Sequence, residues 1–307
     1  FEPYHGPGGA QTLYNADFAD PDADAAVYRG KYYYNYDKCY TRINTLIQGK
    51  LQGEHLRWLA GLYLLSTAVD TIDYTDYDED PGQTLLANHW DYRQAAMAGG
   101  QENALVAGII YDRRDHEATP HRGVWSELLV RWIPDALGND FSYTAITATH
   151  RQYLPISNEL TFAYRLSGRS ISAGAPFFST PQVDGTYKTE EGLGGKKTVR
   201  GVLWQRVNGF NAVYGNLELR YRVMSLLETG YAALSIFYDL GRTFDEIPES
   251  TLFDRGQDHD VWHQGVGGGV RIAPNNTFIV ALDLAVPVDS AMDGPGLKVY
   301  VGLDWLF

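Results

Sequence analysis

The chain has 307 residues and a formal net charge of −13, so it lacks the basic surface that neutralises a nucleic-acid backbone, and a nucleic-acid partner is not expected. Its 22 Tyr, 12 Phe, 7 Trp and 32 Gly against 3 Met and one cysteine, Cys39, describe a β-rich chain with many turns and exclude both an intramolecular disulfide and a cysteine-built metal centre. Mean hydropathy is −0.30, and no stretch approaches the roughly 18 apolar residues of a spanning helix; crossing a membrane with strands stays open, because only alternate strand residues face lipid.

Phe1 is not an initiator and no basic-then-apolar leader follows it, so the chain reads as mature, trimmed or a fragment. Residues 1–25 join Gly6, Pro7, Gly8 and Gly9 to Asp17, Asp20, Asp22 and Asp24, the composition of an irregular lead-in. From 26 to 307 the period is two. Candidate strands are 26–37, 39–52, 54–73, 103–115, 122–135, 140–152 and 156–171, and then 214–223, 232–241, 261–272, 278–288 and 297–307. About twelve strands result, and an even count suits a single-chain barrel. Short turns near Gly53, Pro155 and Thr229 predict a periplasmic rim, and the stretches 74–102, 172–211 and 242–260 predict outside loops. Thr84 to Ala98, with little β alternation, predicts a short surface helix.

The later strands carry the clearest pattern. Gly215, Leu217, Leu219, Tyr221 and Val223 oppose Tyr214, Asn216, Glu218, Arg220 and Arg222, and Leu234, Ile236 and Leu240 oppose Ser235, Phe237 and Asp239. A soluble sandwich would bury the charged rows at high cost, whereas a barrel lumen accepts them. Gly265, Gly267, Gly268 and Gly269 predict small inward side chains where something else fills the lumen. In the last strand Leu297, Val299, Val301, Leu303, Trp305 and Phe307 form one apolar row, expected to face lipid throughout. The expected fold is therefore an all-β transmembrane antiparallel barrel.

Readings as an enzyme or metal site are weaker. Asp112, Arg114, Asp115 and His116 adjoin Pro120 and Gly123 at a strand end, where a turn-stabilising cluster is the simpler reading. His259, Asp260 and His263 show no ligand spacing that the sequence establishes. The acidic run Asp70 to Asp80 lacks the glycine and terminal glutamate of a calcium loop. No nucleophile elbow is present, and neither a cofactor nor a metal is expected.

Three patterns coincide: Gly194-Gly195 followed by Thr198-Val199-Arg200-Gly201, then Gly215-Asn216-Leu217-Glu218-Leu219-Arg220-Tyr221, then Phe237-Tyr238-Asp239-Leu240-Gly241. Together they resemble the BamA-type superfamily of outer-membrane assembly and secretion barrels, also called the bacterial surface antigen family, and in particular its members without POTRA domains. The resemblance extends over about 26–307, through Tyr111-Asp112-Arg113-Arg114-Asp115, Arg151, Tyr153, Pro155, Pro176-Phe177-Phe178 and the final strand. It implies a long loop, here about 172–211, folded into the lumen, with Val199, Arg200 and Gly201 at its tip and Glu218 and Asp239 as inward carboxylate partners of Arg200. It also implies a C-terminal assembly signal at Trp305 and Phe307. Where the family carries an aromatic after Arg-Gly this chain has Val202, which implies weaker packing of the loop tip. The family barrel has sixteen strands, so the chain is either a compact barrel of about twelve or a sixteen-stranded one whose first strands are missing.

The implied role is non-enzymatic: assisting insertion or translocation of proteins or lipids across the bacterial outer membrane. The alternative is a structural or pore subunit of a larger envelope complex. Implied partners are outer-membrane lipids and lipopolysaccharide, the barrel assembly machinery during biogenesis, and other envelope proteins.

Overall fold

A computed structural model describes residues 37–70, 99–186, 189–204, 209–226, 230–244, 262–274, 278–289, 293 and 296–307. Its strands are β1 (Asp37–Gln52), β2 (Leu56–Asp70), β3 (Gly99–Asp112), β4 (Gly123–Ile133), β5 (Tyr143–Pro155), β6 (Leu160–Ile171), β7 (Gln182–Val183), β8 (Glu190–Glu191), β9 (Asn211–Leu226), β10 (Gly230–Phe244), β11 (His263–Ala273), β12 (Val280–Pro287) and β13 (Lys298–Gly302). Short β7 and β8 pair with each other, and the other eleven form one antiparallel sheet in chain order, with β1 and β13 as its edges among the described residues. The candidate strand 26–37 lies outside the described residues except for Asp37, which begins β1. So do the helix expected at Thr84 to Ala98 and most of the expected loop 242–260.

Period-two alternation places this sheet. On β12, Val280, Leu282, Leu284 and Val286 are exposed, while Ala281, Asp283 and Ala285 are buried. The same division continues around the wall, with Ile109, Leu128, Ile146, Leu166, Leu217, Leu234 and Val270 outside and Glu102, Arg131, Thr147, Arg165, Glu218, Asp239 and Arg271 inside. An apolar exterior around a polar, charged interior inverts the soluble arrangement and is what a transmembrane barrel requires. Cys39 lies exposed on β1. Links at 53–55, 113–122 and 156–159 gather at one rim, and 134–142 and 172–210 leave from the opposite one.

The interior is filled rather than open. Ala175, Phe177 and Phe178, from the segment after β6, pack against Tyr63, Leu65, Ile133, Tyr143 and Phe210. Further along that segment, Val183, Leu193, Val199 and Val202 form a second cluster with Ala212 and Tyr214.

One expectation fails at the C-terminus. Leu297, Val299, Val301 and Leu303 are about 60% exposed, as a lipid-facing row should be, but Trp305 and Phe307 are each 6% exposed. β13 ends at Gly302, and the chain turns so that both rings enter the lumen. The interior offers them more than lipid does. The Arg220 guanidinium lies 4.2 Å from the Trp305 ring centroid and 5.0 Å from that of Phe307, and Trp305 Nε1 donates to the Tyr231 hydroxyl at 3.2 Å. Facing lipid, the rings would lose these cation–π contacts and the indole N–H its acceptor.

Candidate functional site

The segment between β6 and β9 enters the barrel from the long-loop rim and carries Val199, Arg200 and Gly201 inside it, where the Arg200 carbonyl lies against Gly265 and Gly201 against Val286. Arg200 is fully buried. Its Nε donates to Asp239 Oδ2 at 2.7 Å, its Nη2 to Asp239 Oδ1 at 3.1 Å, and its own backbone N–H to Asp239 Oδ2 at 3.0 Å. This two-pronged fork is the geometry that a guanidinium and a carboxylate make best. Nη1 reaches Asp283 Oδ2 at 3.2 Å, and the guanidinium carbon stands 3.4 Å from the Phe237 ring centroid.

Glu218, expected as a second partner of Arg200, is placed differently. Its ion pairs are with Arg220 Nη2 at 3.3 Å and Arg271 Nη2 at 3.6 Å. Arg271 in turn holds Asp283 through two bonds of 2.6 and 2.9 Å. Register explains the rearrangement. Glu218 sits opposite Phe237, whose ring is stacked on Arg200, so the direct path from Glu218 to the arginine is taken. Arg200, Arg220 and Arg271 are thus matched by Glu218, Asp239 and Asp283 in one buried network, where each desolvated charge has an opposite neighbour.

Asp283 and Arg271 were missed as partners, although the alternation of 278–288 and 261–272 already sets both on the inward face. The signal was the same as for Asp239. What the sequence does not give is how deeply the loop reaches.

Small residues make room for the network. Gly265, Gly267 and Gly269 lie opposite Asp239, Phe237 and Asp283, so β11 presents almost no side-chain bulk beneath the loop. Gly201 has φ of +92° and passes close to the carbonyl of Val286, a conformation and an approach that only glycine combines without strain. Val202 is fully buried, so the shorter side chain does not leave the tip loosely packed.

The loop also grips the last strand. Gly201 N–H donates to the Tyr300 hydroxyl at 3.1 Å, Lys196 Nζ donates to the Val301 carbonyl, and Lys197 pairs with Asp304 at 3.1 Å. On the other side, Asn216 donates to the Thr198 carbonyl at 2.7 Å, and Arg165 binds both Asn216 (2.8 Å) and the Lys197 carbonyl (2.6 Å). Nearer the rim, Glu102 accepts from Tyr143 and from Ser179 Oγ, Glu127 accepts from Thr186, and Arg131 pairs with Asp184 at 3.0 Å. These anchors are isolated charged residues within otherwise ordinary strands, and no local motif marks them.

Two of the clusters noted in the sequence are bonded locally. Arg114 and Asp112 form a bridge of 2.8 Å; burial lowers the Arg114 pKa, but Asp112 outweighs it and holds the value above that of an ordinary arginine. His263 bonds Asp293 at 2.5 Å, and His259 and Asp260 lie outside the described residues. No group of three or more metal-binding side chains occurs among the described residues.

A family model described as the Omp85 superfamily domain matches residues 8–303. No curated protein matches the chain. Among solved structures, the fold is similar to that of BamA from Haemophilus ducreyi lacking POTRA domains 1–3, with a TM-score of 0.60 and 14% identity over 86% of this chain and 54% of that one. It is also similar to CdiB from Escherichia coli, with a TM-score of 0.53 and 12% identity over 87% of this chain and 45% of that one. The chain therefore spans about half the length of these two structures.

Proposed function

The chain belongs to the Omp85 superfamily and resides in the bacterial outer membrane, and from that premise we propose that it assists the insertion or translocation of proteins or lipids there without covalent catalysis. The observation that carries this reading is the loop, clamped through Arg200 to Asp239 and Asp283 and tied by Lys196, Lys197 and Gly201 to the end of the barrel. Beside its two apolar clusters, the loop is held by ion pairs and main-chain bonds that can be exchanged for equivalent partners on an incoming chain or on water, so occupancy of the lumen becomes adjustable.

In this reading the clamp residues Arg200, Asp239 and Asp283 hold and position the loop, Glu218 steadies the network through Arg271, and none of them performs chemistry. Outer-membrane lipids and lipopolysaccharide surround the wall in this reading, the barrel assembly machinery inserts the protein, and other envelope proteins supply the cargo. The alternative is a non-catalytic structural or pore subunit of a larger envelope complex; the loop that fills the lumen among the described residues favours the first reading over a pore.

Deletion of the gene, with quantification of outer-membrane proteins and lipids, tests the proposal. A selective fall in particular proteins or lipids, restored by the wild-type chain and not by Arg200→Ala present at equal abundance, is expected. Unchanged envelope composition, together with steady conductance of the purified barrel in planar bilayers, would overturn it.

A further inference from the structure

The outer wall carries a feature that the lumenal loop does not explain. Across most of it the outward side chains are large, but between β4 and β10 small residues interrupt them on two adjacent cross-strand rows. Ala148 faces Gly168 across β5 and β6, and Gly215 lies between Leu166 and Leu240 on β6, β9 and β10. The result is a groove of ≈ 610 Å³ bordered by Leu166, Leu240 and Trp262, within the size range of about 300–1,000 Å³ typical of small-molecule sites. Four inter-strand steps of about 4.8 Å give it a length of roughly 19 Å, and strand tilt of about 35–45° makes it climb across the membrane.

One end of the groove is polar. Ser126 and His150 are directly paired across β4 and β5, point outward, and share a hydrogen bond of 2.8 Å between Ser126 Oγ and His150 Nδ1. That single bond cannot satisfy both groups. If the serine hydroxyl donates to Nδ1, the ring proton sits on Nε2 with no partner among the described residues; if Nδ1–H donates to the serine, the hydroxyl proton is left over. Either tautomer presents one spare donor to lipid, where an unmet donor costs several kcal/mol. Water meets that need poorly inside the hydrocarbon zone, and an acyl ester carbonyl meets it well.

We propose that the groove binds one acyl chain of an inner-leaflet glycerophospholipid, whose ester carbonyl accepts the hydrogen bond left over by the Ser126–His150 pair. Depth selects the leaflet. Ser126 stands three residues from Gly123, the start of β4 at the short-turn rim, about 10 Å along the strand at about 3.3 Å per residue. Between the pair and that rim run Tyr164 and Phe162. The ring of Tyr164 lies 5.8 Å from His150 and 6.1 Å from Phe162, an aromatic ladder of the kind that marks a membrane interface. Short turns face the periplasm in such barrels, so the carbonyl lies on the phospholipid side. The inference concerns the wall and does not depend on which cargo the lumen admits.

The test uses the whole chain reconstituted with phosphatidylethanolamine, stripped of bulk lipid, and examined by native mass spectrometry. One retained phosphatidylethanolamine per barrel is expected. Gly168→Leu should reduce retention at least ten-fold, because the nearest atom to a side chain built there is Val213 Cγ1 at 3.7 Å, an ordinary contact that leaves the leucine to fill the groove. Ala148→Leu provides a second filling variant if the first does not fold, and Ala60→Leu, outward on β2, should change nothing. A diether analogue without the carbonyl should be retained about five-fold less than the diester by the wild type, and equally well by Ser126→Ala combined with His150→Phe. Undiminished retention in a folded filling variant, no preference for diester over diether, or preferential retention of lipopolysaccharide would each overturn the assignment.

Discussion

Gly265 lies directly beneath the carbonyl of Arg200, so close that a methyl group on its Cα would overlap that oxygen. The same glycine is the cross-strand neighbour of Asp239, the residue that receives the Arg200 fork. A missing side chain on β11 and a charge on β10 thus act on one point of the loop. The first admits its main chain and the second fixes its side chain.

Gly265→Ala is therefore expected to lift the loop tip and open the Arg200 fork, while leaving the lipid-facing row of β11 unchanged. Overpacking of this kind costs about 1–3 kcal/mol. Urea unfolding of the detergent-folded barrel, followed by gel mobility without heating, measures the loss. Limited trypsin digestion reports the loop directly, since Lys196 and Lys197 should be cut faster. Wild-type cleavage rates at both lysines would show that the loop does not rest on β11.

Removing Arg200 leaves Asp239 buried with its principal partner gone, so Arg200→Ala should destabilise the barrel by about 3–5 kcal/mol. Arg200→Lys should recover only part of that, because one ammonium cannot make the two-pronged contact. Adding Asp239→Asn to Arg200→Ala should return stability, with a coupling of about 0.5–3 kcal/mol. Strict additivity of the two substitutions would mean that the pair is not coupled.

Much of this was legible in the sequence, because in a barrel the same two-residue period that makes a strand also assigns each side chain to lumen or lipid. Asp239, Asp283 and Arg271 all sit on the inward phase of their strands, and the glycines of β11 signalled a filled lumen. What the period cannot convey is contact across the interior. Glu218 is inward as expected, yet the Phe237 ring stands in its path to Arg200, a consequence of register between β9 and β10. Nor can alternation show where a strand stops. Trp305 and Phe307 continue the apolar phase of Leu297 to Leu303, and only the arginines waiting in the lumen reveal why the chain abandons that phase after Gly302. The groove at Ala148, Gly168 and Gly215 was equally hidden, since its small residues become neighbours only once three strands are in register.

At the short-turn rim, His121 bonds Thr161 Oγ1, and burial first, then Arg222, hold its pKa below the ordinary histidine value of 6.5. The folded protein then binds fewer protons here than the unfolded chain. The contribution is complete above the unfolded pKa and is lost as pH falls through the lowered folded one. Between about pH 7 and about pH 5 the wild type should lose stability more steeply than His121→Gln. The difference should be small, because the ring is largely screened by solvent. Parallel urea midpoints across that range check the sign, and a steeper fall in the variant would contradict it.

The inward turn of the C-terminus separates two tryptophans that a simple strand pattern would both put in lipid. Trp132 is 50% exposed on the outer wall, and Trp305 is 6% exposed in the lumen. In bilayers of brominated phospholipid, Trp132→Phe should remove emission that bromine quenches, whereas Trp305→Phe should remove emission that bromine does not reach. Trp305→Ala should in addition cost about 3–5 kcal/mol for the buried ring, because it uncovers Arg220 and Arg271, whose guanidinium groups lie 4.2 and 4.8 Å from its centroid. If Trp305→Phe instead removes the lipid-quenched component, the final residues lie on the membrane face and the lumenal packing of the C-terminus is wrong.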